Sequence, residues 1–235
     1  MNNKQKTALV LGCSSIVGLS VADRLLSEGW KVYGTFGRRE VAIKHPSFLA
    51  LHLNVESSAS ISNFTEEMFN RGVQLDLVVG LIGVLPGKSL QDYDENDLAR
   101  IIDINFTSTA KLLKRLETQF CMGSSIVLMS SISSERGSYD PIYAASKGAV
   151  NAFVKSLATW LAPKVRVNAI APSLIESTVM FDEMLPERRE LQLTQCPMKQ
   201  FLSPEDLARI IVDIEQPHWA HLNGVVLKLN GGIYV

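Results

Sequence analysis

Tyr143 and Lys147 are the residues of this chain whose types and spacing best suit chemistry. Four apart, they stack one turn from each other on a single helix face. A phenol with an unperturbed pKa near ~10 exchanges protons poorly at neutral pH. An ammonium held beside it favours the phenolate and lowers that pKa, so the pair predicts a tuned acid/base. The same spacing also describes an ordinary surface pair, and the surrounding residues must decide. Ala144, Ala145, Ser146, Gly148 and Ala149 are small and let other backbone come close. Upstream, Leu128-Met129-Ser130-Ser131 ends an apolar run in two hydroxyls. At the carboxyl end of a parallel strand such a hydroxyl points into the crevice where ligands bind.

Positioning these groups requires a sheet with helices around it. Apolar runs at Thr7–Leu11, Lys31–Phe36, Phe48–Leu53, Leu75–Val79, Ser125–Met129, Val165–Ile170 and Val225–Leu229 read as strands. Between them lie helical patterns: one through Val17, Val21, Leu25 and Leu26, then Ile61–Phe69, a continuous Asp94–Thr118, Tyr143–Leu161 and Pro204–Ile214. Strands alternating with helices imply right-handed crossovers and a parallel sheet covered on both sides. The expected fold class is α/β: one Rossmann-type doubly wound domain over residues 1–235, its parallel sheet seven-stranded, with helices on both faces.

The turn after the first strand, Leu11-Gly12-Cys13-Ser14-Ser15-Ile16-Val17-Gly18, carries glycines at both ends. Glycine there lets backbone approach a pyrophosphate, and the following helix N-terminus supplies free amides and a favourable dipole. Two guanidiniums, Arg38 and Arg39, follow the second strand and suit a phosphate through planar, charge-assisted contacts. As a short charge pair they also fit a solvated corner.

Composition bounds the rest. Of 235 residues 46% are hydrophobic and the formal net charge is -1, which fits a globular core and offers no surface for nucleic acid. No apolar run reaches the roughly 18 residues of a membrane span. The polar start, Met1–Lys6, does not resemble a secretory signal. Three cysteines, Cys13, Cys121 and Cys196, are widely spaced, as expected of reduced thiols in a cytoplasmic protein. His218 and His221 lack a third ligand nearby in sequence, so no metal site is expected.

Together these residues resemble the classical short-chain dehydrogenase/reductase family, in a 3-oxoacyl-[acyl-carrier-protein] reductase-like form, from about Leu9 to Gly232. The family's TGxxxGxG turn is kept at Gly12 and Gly18, with Leu11 for Thr and Ile16 for the middle glycine. Its NNAG stretch is replaced by Gly80-Leu81-Ile82-Gly83. Phe36 stands where the family would place an acid that binds the adenosine ribose. The resemblance implies a catalytic set of Asn105, Ser131, Tyr143 and Lys147. Strand register selects Ser131, whereas the family's commoner loop length would select Ser130. Asn105 would bend its helix and hold a water linked to Lys147.

Cofactor contacts implied by the resemblance are Gly12, Ser14, Ile16, Val17 and Gly18 at the phosphates, and Asn54 at adenine. Arg38 and Arg39 would lie at the 2′-phosphate, Tyr143 and Lys147 at the ribose, and Ile175 and Ser177 at the carboxamide. The expected cofactor is NADP(H) in preference to NAD(H), and the substrate a small carbonyl or alcohol. Thr178–Leu202 is expected to form a lid in which Met180, Phe181, Met184 and Leu185 could line an apolar pocket. Family likeness also implies a homodimer or homotetramer. The alternative reading is a catalytically idle dinucleotide-binding regulator or scaffold on the same fold. The retained Asn105, Ser131, Tyr143 and Lys147 argue against it.

Overall fold

The computed structural model describes residues 5–234, so the part of the polar start before Gln5 lies outside the described residues. Strands run at Thr7–Leu11 (β1), Lys31–Phe36 (β2), Phe48–His52 (β3), Leu75–Gly80 (β4), Phe120–Met129 (β5), Val165–Pro172 (β6) and Val226–Leu229 (β7). Helices lie at Ile16–Ser27 (α1), Ser58–Asn70 (α2), Glu95–Ile102 (α3), Ser108–Leu116 (α4) and Ser133–Arg136 (α5). They continue at Pro141–Leu161 (α6), Val179–Asp182 (α7), Pro186–Gln195 (α8) and Pro204–Asp213 (α9).

The strands form one seven-stranded sheet in the order β3-β2-β1-β4-β5-β6-β7, and every neighbouring pair is parallel. Period-two alternation sends successive β1 residues to opposite faces. Ala8 and Val10 pack with Val17, Val21 and Leu25 of α1 and with Leu207 and Ile211 of α9. Leu9 and Leu11 pack on the other side, with α2, α4 and α6 through Phe64, Leu112 and Val150. Chain order reverses between β1 and β4, and a crevice opens beyond their carboxyl ends, as expected at a topological switch point.

Two elements depart from the sequence reading. The expected continuous helix Asp94–Thr118 is broken: α3 and α4 are joined by a π-helical turn, Asp103–Thr107. Asn105 sits in that turn with 2% exposure, its side chain bonded to another segment, and such single-turn insertions recur at functional sites. Strand β5 begins at Phe120 instead of Ser125, because Phe120 pairs with Leu75 across a register shift. The intervening Cys121-Met122-Gly123-Ser124 lacks the apolar pattern by which a strand is read.

Candidate active site

Helix α6 presents the central pair. Asp140 caps it, accepting from Tyr143 N at 2.9 Å, and Pro141 fits the first turn, where an amide would be unpaired. Its buried stripe, Tyr143, Ser146, Lys147, Val150, Val154 and Leu157, follows helical spacing. That stripe turns the phenol and the ammonium inward, toward the carboxyl end of β5. Tyr143 is 7% and Lys147 3% exposed.

At the end of β5 the two serines part. Ser131 lies close enough to Tyr143 to lower the phenol's pKa, and its hydroxyl accepts from Ser133 N at 3.1 Å. Ser130 is turned against α6, donating to Asn151 Oδ1 at 2.5 Å and more weakly to Lys147 O at 3.4 Å. Strand register is thus the better guide to which hydroxyl faces the phenol.

Burial changes the expected electrostatics. Lys147 Nζ lies 5.8 Å from the Tyr143 ring centroid and donates to Met129 O at 2.9 Å. Loss of water pulls the Lys147 pKa down from 10.5 to about 8. The phenol is pushed up, first by burial, then by the charge of Asp140, against a lowering influence of the nearby Ser131 hydroxyl. The expectation that the ammonium would depress the phenol's pKa is therefore corrected in the protein alone. A dry site penalises both charged forms, so the neutral phenol is favoured.

Asn105 spends its amide on bracing. Nδ2 donates to Val84 O and to Ser146 Oγ, both at 3.0 Å, while Oδ1 accepts from Val84 N at 2.8 Å. The side chain thus ties the loop after β4 to α6 and does not bond Lys147 directly. Gly83 fits between the two: a Cβ there would lie 3.2 Å from Lys147 Nζ and 3.5 Å from Asn105 Oδ1. Beneath Asn105, a cavity of about 10 Å³ bordered by Met129 and Val150 is near the lower limit for one water.

A second, larger cleft of about 500 Å³ lies over β1, β2 and the loop after β4, lined in part by Gly12, Ser14, Phe36, Arg38, Asn54 and Gly83. Its turn is shaped for close approach. Gly12 has φ +83°, in the left-handed region, and its amide donates to Thr35 Oγ1 at 3.0 Å. A Cβ on Gly18 would sit 2.5 Å from Gly12 O and 2.6 Å from Cys13 Cα, so only glycine lets α1 start this close to β1. Ser15 caps α1 by accepting from Gly18 N at 3.0 Å, and the remaining first-turn amides are those a phosphate would use. The geometry fits a dinucleotide.

Not every expected contact reaches this cleft. Val17 is 6% exposed and packs in the core beneath α1. Ile16 is 37% exposed and is not among the cleft-lining residues. Arg38 lines the cleft; Arg39 is exposed outside it. Asn54 lines it too, though its Oδ1 accepts from Glu56 N at 3.1 Å. Ile175 and Ser177 are not among the residues lining this cleft; Ile175 bridges to Leu202, and Ser177 holds φ 59°. In the segment expected to form a lid, Phe181 packs edge-on against Phe201, ring centroids 5.1 Å apart, while Leu185 is 61% exposed.

Sequence reasoning missed Asp140. This carboxylate is 1% exposed and also accepts from Gly87 N at 3.0 Å, Lys88 N at 3.3 Å and Tyr93 OH at 2.7 Å. An aspartate just before Pro141 reads as a helix cap, but nothing in the local sequence announces the bonds to residues some fifty positions away. Among the described residues no group of three metal-ligating side chains occurs, and no helix is long and apolar enough to cross a membrane.

Comparison with known proteins decides the family. Residues 12–234 match the family described as enoyl-(acyl carrier protein) reductase. The 3-oxoacyl-[acyl-carrier-protein] reductase FabG of Vibrio cholerae is 29% identical over 244 residues, covering 100% of both chains. That of Escherichia coli is 28% identical, again over 100% of both. A Brucella melitensis crystal structure titled short-chain dehydrogenase/reductase SDR:Glucose/ribitol dehydrogenase superposes with a TM-score of 0.92 at 28% identity, over 98% of this chain and 97% of that one. This chain belongs to the short-chain dehydrogenase/reductase family. As a family member it is an oxidoreductase acting on a carbonyl or alcohol group.

Proposed function

We propose that this short-chain dehydrogenase/reductase reduces a ketone to an alcohol, with NADPH as hydride donor and Tyr143 as proton donor. The placement of Ser131 beside the Tyr143 phenol, with Lys147 buried one turn on, carries the reading. When bound, the nicotinamide supplies a hydride to the carbonyl carbon. Ser131 and Tyr143 present two hydroxyls to the carbonyl oxygen and stabilise the charge that develops there. Tyr143, held protonated by its dry surroundings, gives its proton to that oxygen. Lys147, with a pKa of about 8, can restore the phenol's proton near neutral pH. Asn105 keeps the loop backbone at Val84 in place beside Lys147.

Gly12 and Ser14 would receive the pyrophosphate and Asn54 the adenine, with Gly18 letting α1 start close to that turn. Arg38, from inside the cleft, would bind the 2′-phosphate, with Arg39 further out. Ile175 and Ser177 would hold the carboxamide. The relatives' printed names favour a 3-oxoacyl thioester as substrate. Location in the cytoplasm and a homo-oligomeric state belong to the same reading; α6 exposes Trp160 at 69%, a surface that a second copy could cover.

The test follows NADPH oxidation with 3-oxoacyl and 2-enoyl thioesters in the wild type and in Tyr143→Phe. Removing the acid should cost about a hundredfold or more in kcat with the ketone, while NADPH binding by fluorescence is kept. Undiminished ketone reduction in the variant refutes the role of Tyr143. A chain that binds NADPH but turns over neither thioester nor other ketones supports the idle, dinucleotide-binding alternative.

A further inference from the structure

We propose that Asp140 is a positioning residue that clamps the 84–93 loop onto the start of α6 and keeps Tyr143 in its proton-donating form. The inference rests on Tyr143 being the proton donor. Asp140 divides its two oxygens between tasks. Oδ1 accepts from Tyr143 N, fixing the first turn of the helix that carries the phenol. Oδ2 accepts from Gly87 N, Lys88 N and Tyr93 OH, three donors on a loop that comes from the far side of the site. The same loop is held at its other end by Asn105, through both backbone groups of Val84. A segment pinned at Val84 and again at Gly87 and Lys88 forms a fixed wall beside Lys147.

A carboxylate with 1% exposure ordinarily needs a cation, yet Asp140 is held by amides and a hydroxyl. Its negative charge is therefore not cancelled by direct contact with a basic group. The nearest lysine of the loop, Lys88, turns its ammonium to Asp97 of α3 and over the Tyr93 ring, 5.5 Å from the centroid. Facing the phenol are Ser131 from the end of β5, Lys147 from the next turn of α6, and Asp140 from the turn before. Of these, Asp140 contributes a charge that opposes phenolate formation. Carbonyl reduction needs the phenol to arrive protonated, and the clamp and the charge serve that step together.

Asp140→Asn retains an oxygen for the helix cap, but it can place an NH2 group against two amides that also donate. Ultraviolet phenolate titration, taken as the difference between each protein and its counterpart carrying Tyr143→Phe, isolates Tyr143. Asp140→Asn should lower its midpoint. Tyr93→Phe, which removes one clamp bond and leaves the charge, should leave that midpoint in place. An unchanged midpoint in Asp140→Asn overturns the proposal. An equal fall in Tyr93→Phe also overturns it, since loop opening alone would then explain the effect. Should Asp140→Asn fail to fold, Asp140→Ser gives the capped, uncharged helix. Amide exchange in the unaltered protein is an independent check: Gly87 and Lys88 should be protected, and fast exchange at both removes the clamp. Neither readout uses turnover, so an active Tyr143→Phe variant would defeat the assignment of the proton donor while the clamp stood.

Discussion

Replacing Lys147 by Met should stabilise the folded protein while removing a group the site needs. The ammonium is 3% exposed, and its pKa falls from 10.5 to about 8 through burial. At ~1.4 kcal/mol for each pKa unit, holding that charge below pH 8 costs the folded state ~3 kcal/mol. Met matches the length of the stem and carries no charge. The change strips Met129 O of its 2.9 Å donor, which returns about 1 kcal/mol of the gain. The remaining ~2 kcal/mol corresponds to a rise in Tm of about 4–8 °C for a domain of this size. The pH dependence fixes the cause. Between about pH 8 and 10.5 the unfolded lysine binds the proton that the folded one has lost, so wild-type stability rises with pH across that window. The advantage of Lys147→Met should therefore be full at pH 7 and shrink steadily above pH 8. Tyr143 is present in both proteins and largely cancels in the difference. Thermal melts followed by circular dichroism from pH 7 to pH 10 measure it. A variant less stable than wild type at pH 7, or a stability difference that ignores pH, refutes the argument.

Three other outcomes follow from the geometry. Ser131→Ala should reduce kcat by a factor corresponding to ~3 kcal/mol, as for a lost oxyanion donor; Ser130→Ala should instead lower Tm by loosening β5 from α6, with kcat nearly kept. Arg38→Ala should weaken NADPH about tenfold or more and NADH little, as befits one lost charge-assisted contact. Arg39→Ala, outside the cleft, should change neither, and equal losses from both variants in a fluorescence titration would contradict this placement. Gly83→Ala should cut kcat roughly tenfold through displacement of Lys147 Nζ, with little change in the far-ultraviolet spectrum.

The sheet was legible in the sequence because a parallel strand buried on both faces must be apolar along its length. Val10 and Leu77 each sit beneath a helix and could hardly have been polar. The break at Asn105 was not legible from pattern, since Ile101, Ile102 and Ile104 continue a helical stripe through it; family likeness alone suggested a bend. Asn105, in the widened turn, bonds Val84, which lies 21 residues earlier in the chain. Arg38 and Arg39 are neighbours of identical type, and no periodicity says which faces a ligand. The direction of the phenol's pKa was likewise beyond the spacing of Tyr143 and Lys147. Spacing places an ammonium near a phenol, but burial decides whether the charge survives there.

The loss of the asparagine-rich stretch after β4 gains a physical account from the same contacts. A loop whose own side chains cannot brace it must borrow donors and acceptors from elsewhere. Here Asn105 grips Val84 through both backbone groups, and Asp140 grips Gly87 and Lys88. Gly80 and Gly83 supply space in place of hydrogen bonds: a Cβ on Gly80 would meet Leu128 Cδ2 at 2.7 Å, and one on Gly83 would press on Lys147. The loop is braced by a helix cap and a π-turn, both of which also touch the residues of the Tyr143 site. A substitution at either anchor should therefore disturb the site before it disturbs the sheet, because the strands hold their core without the loop.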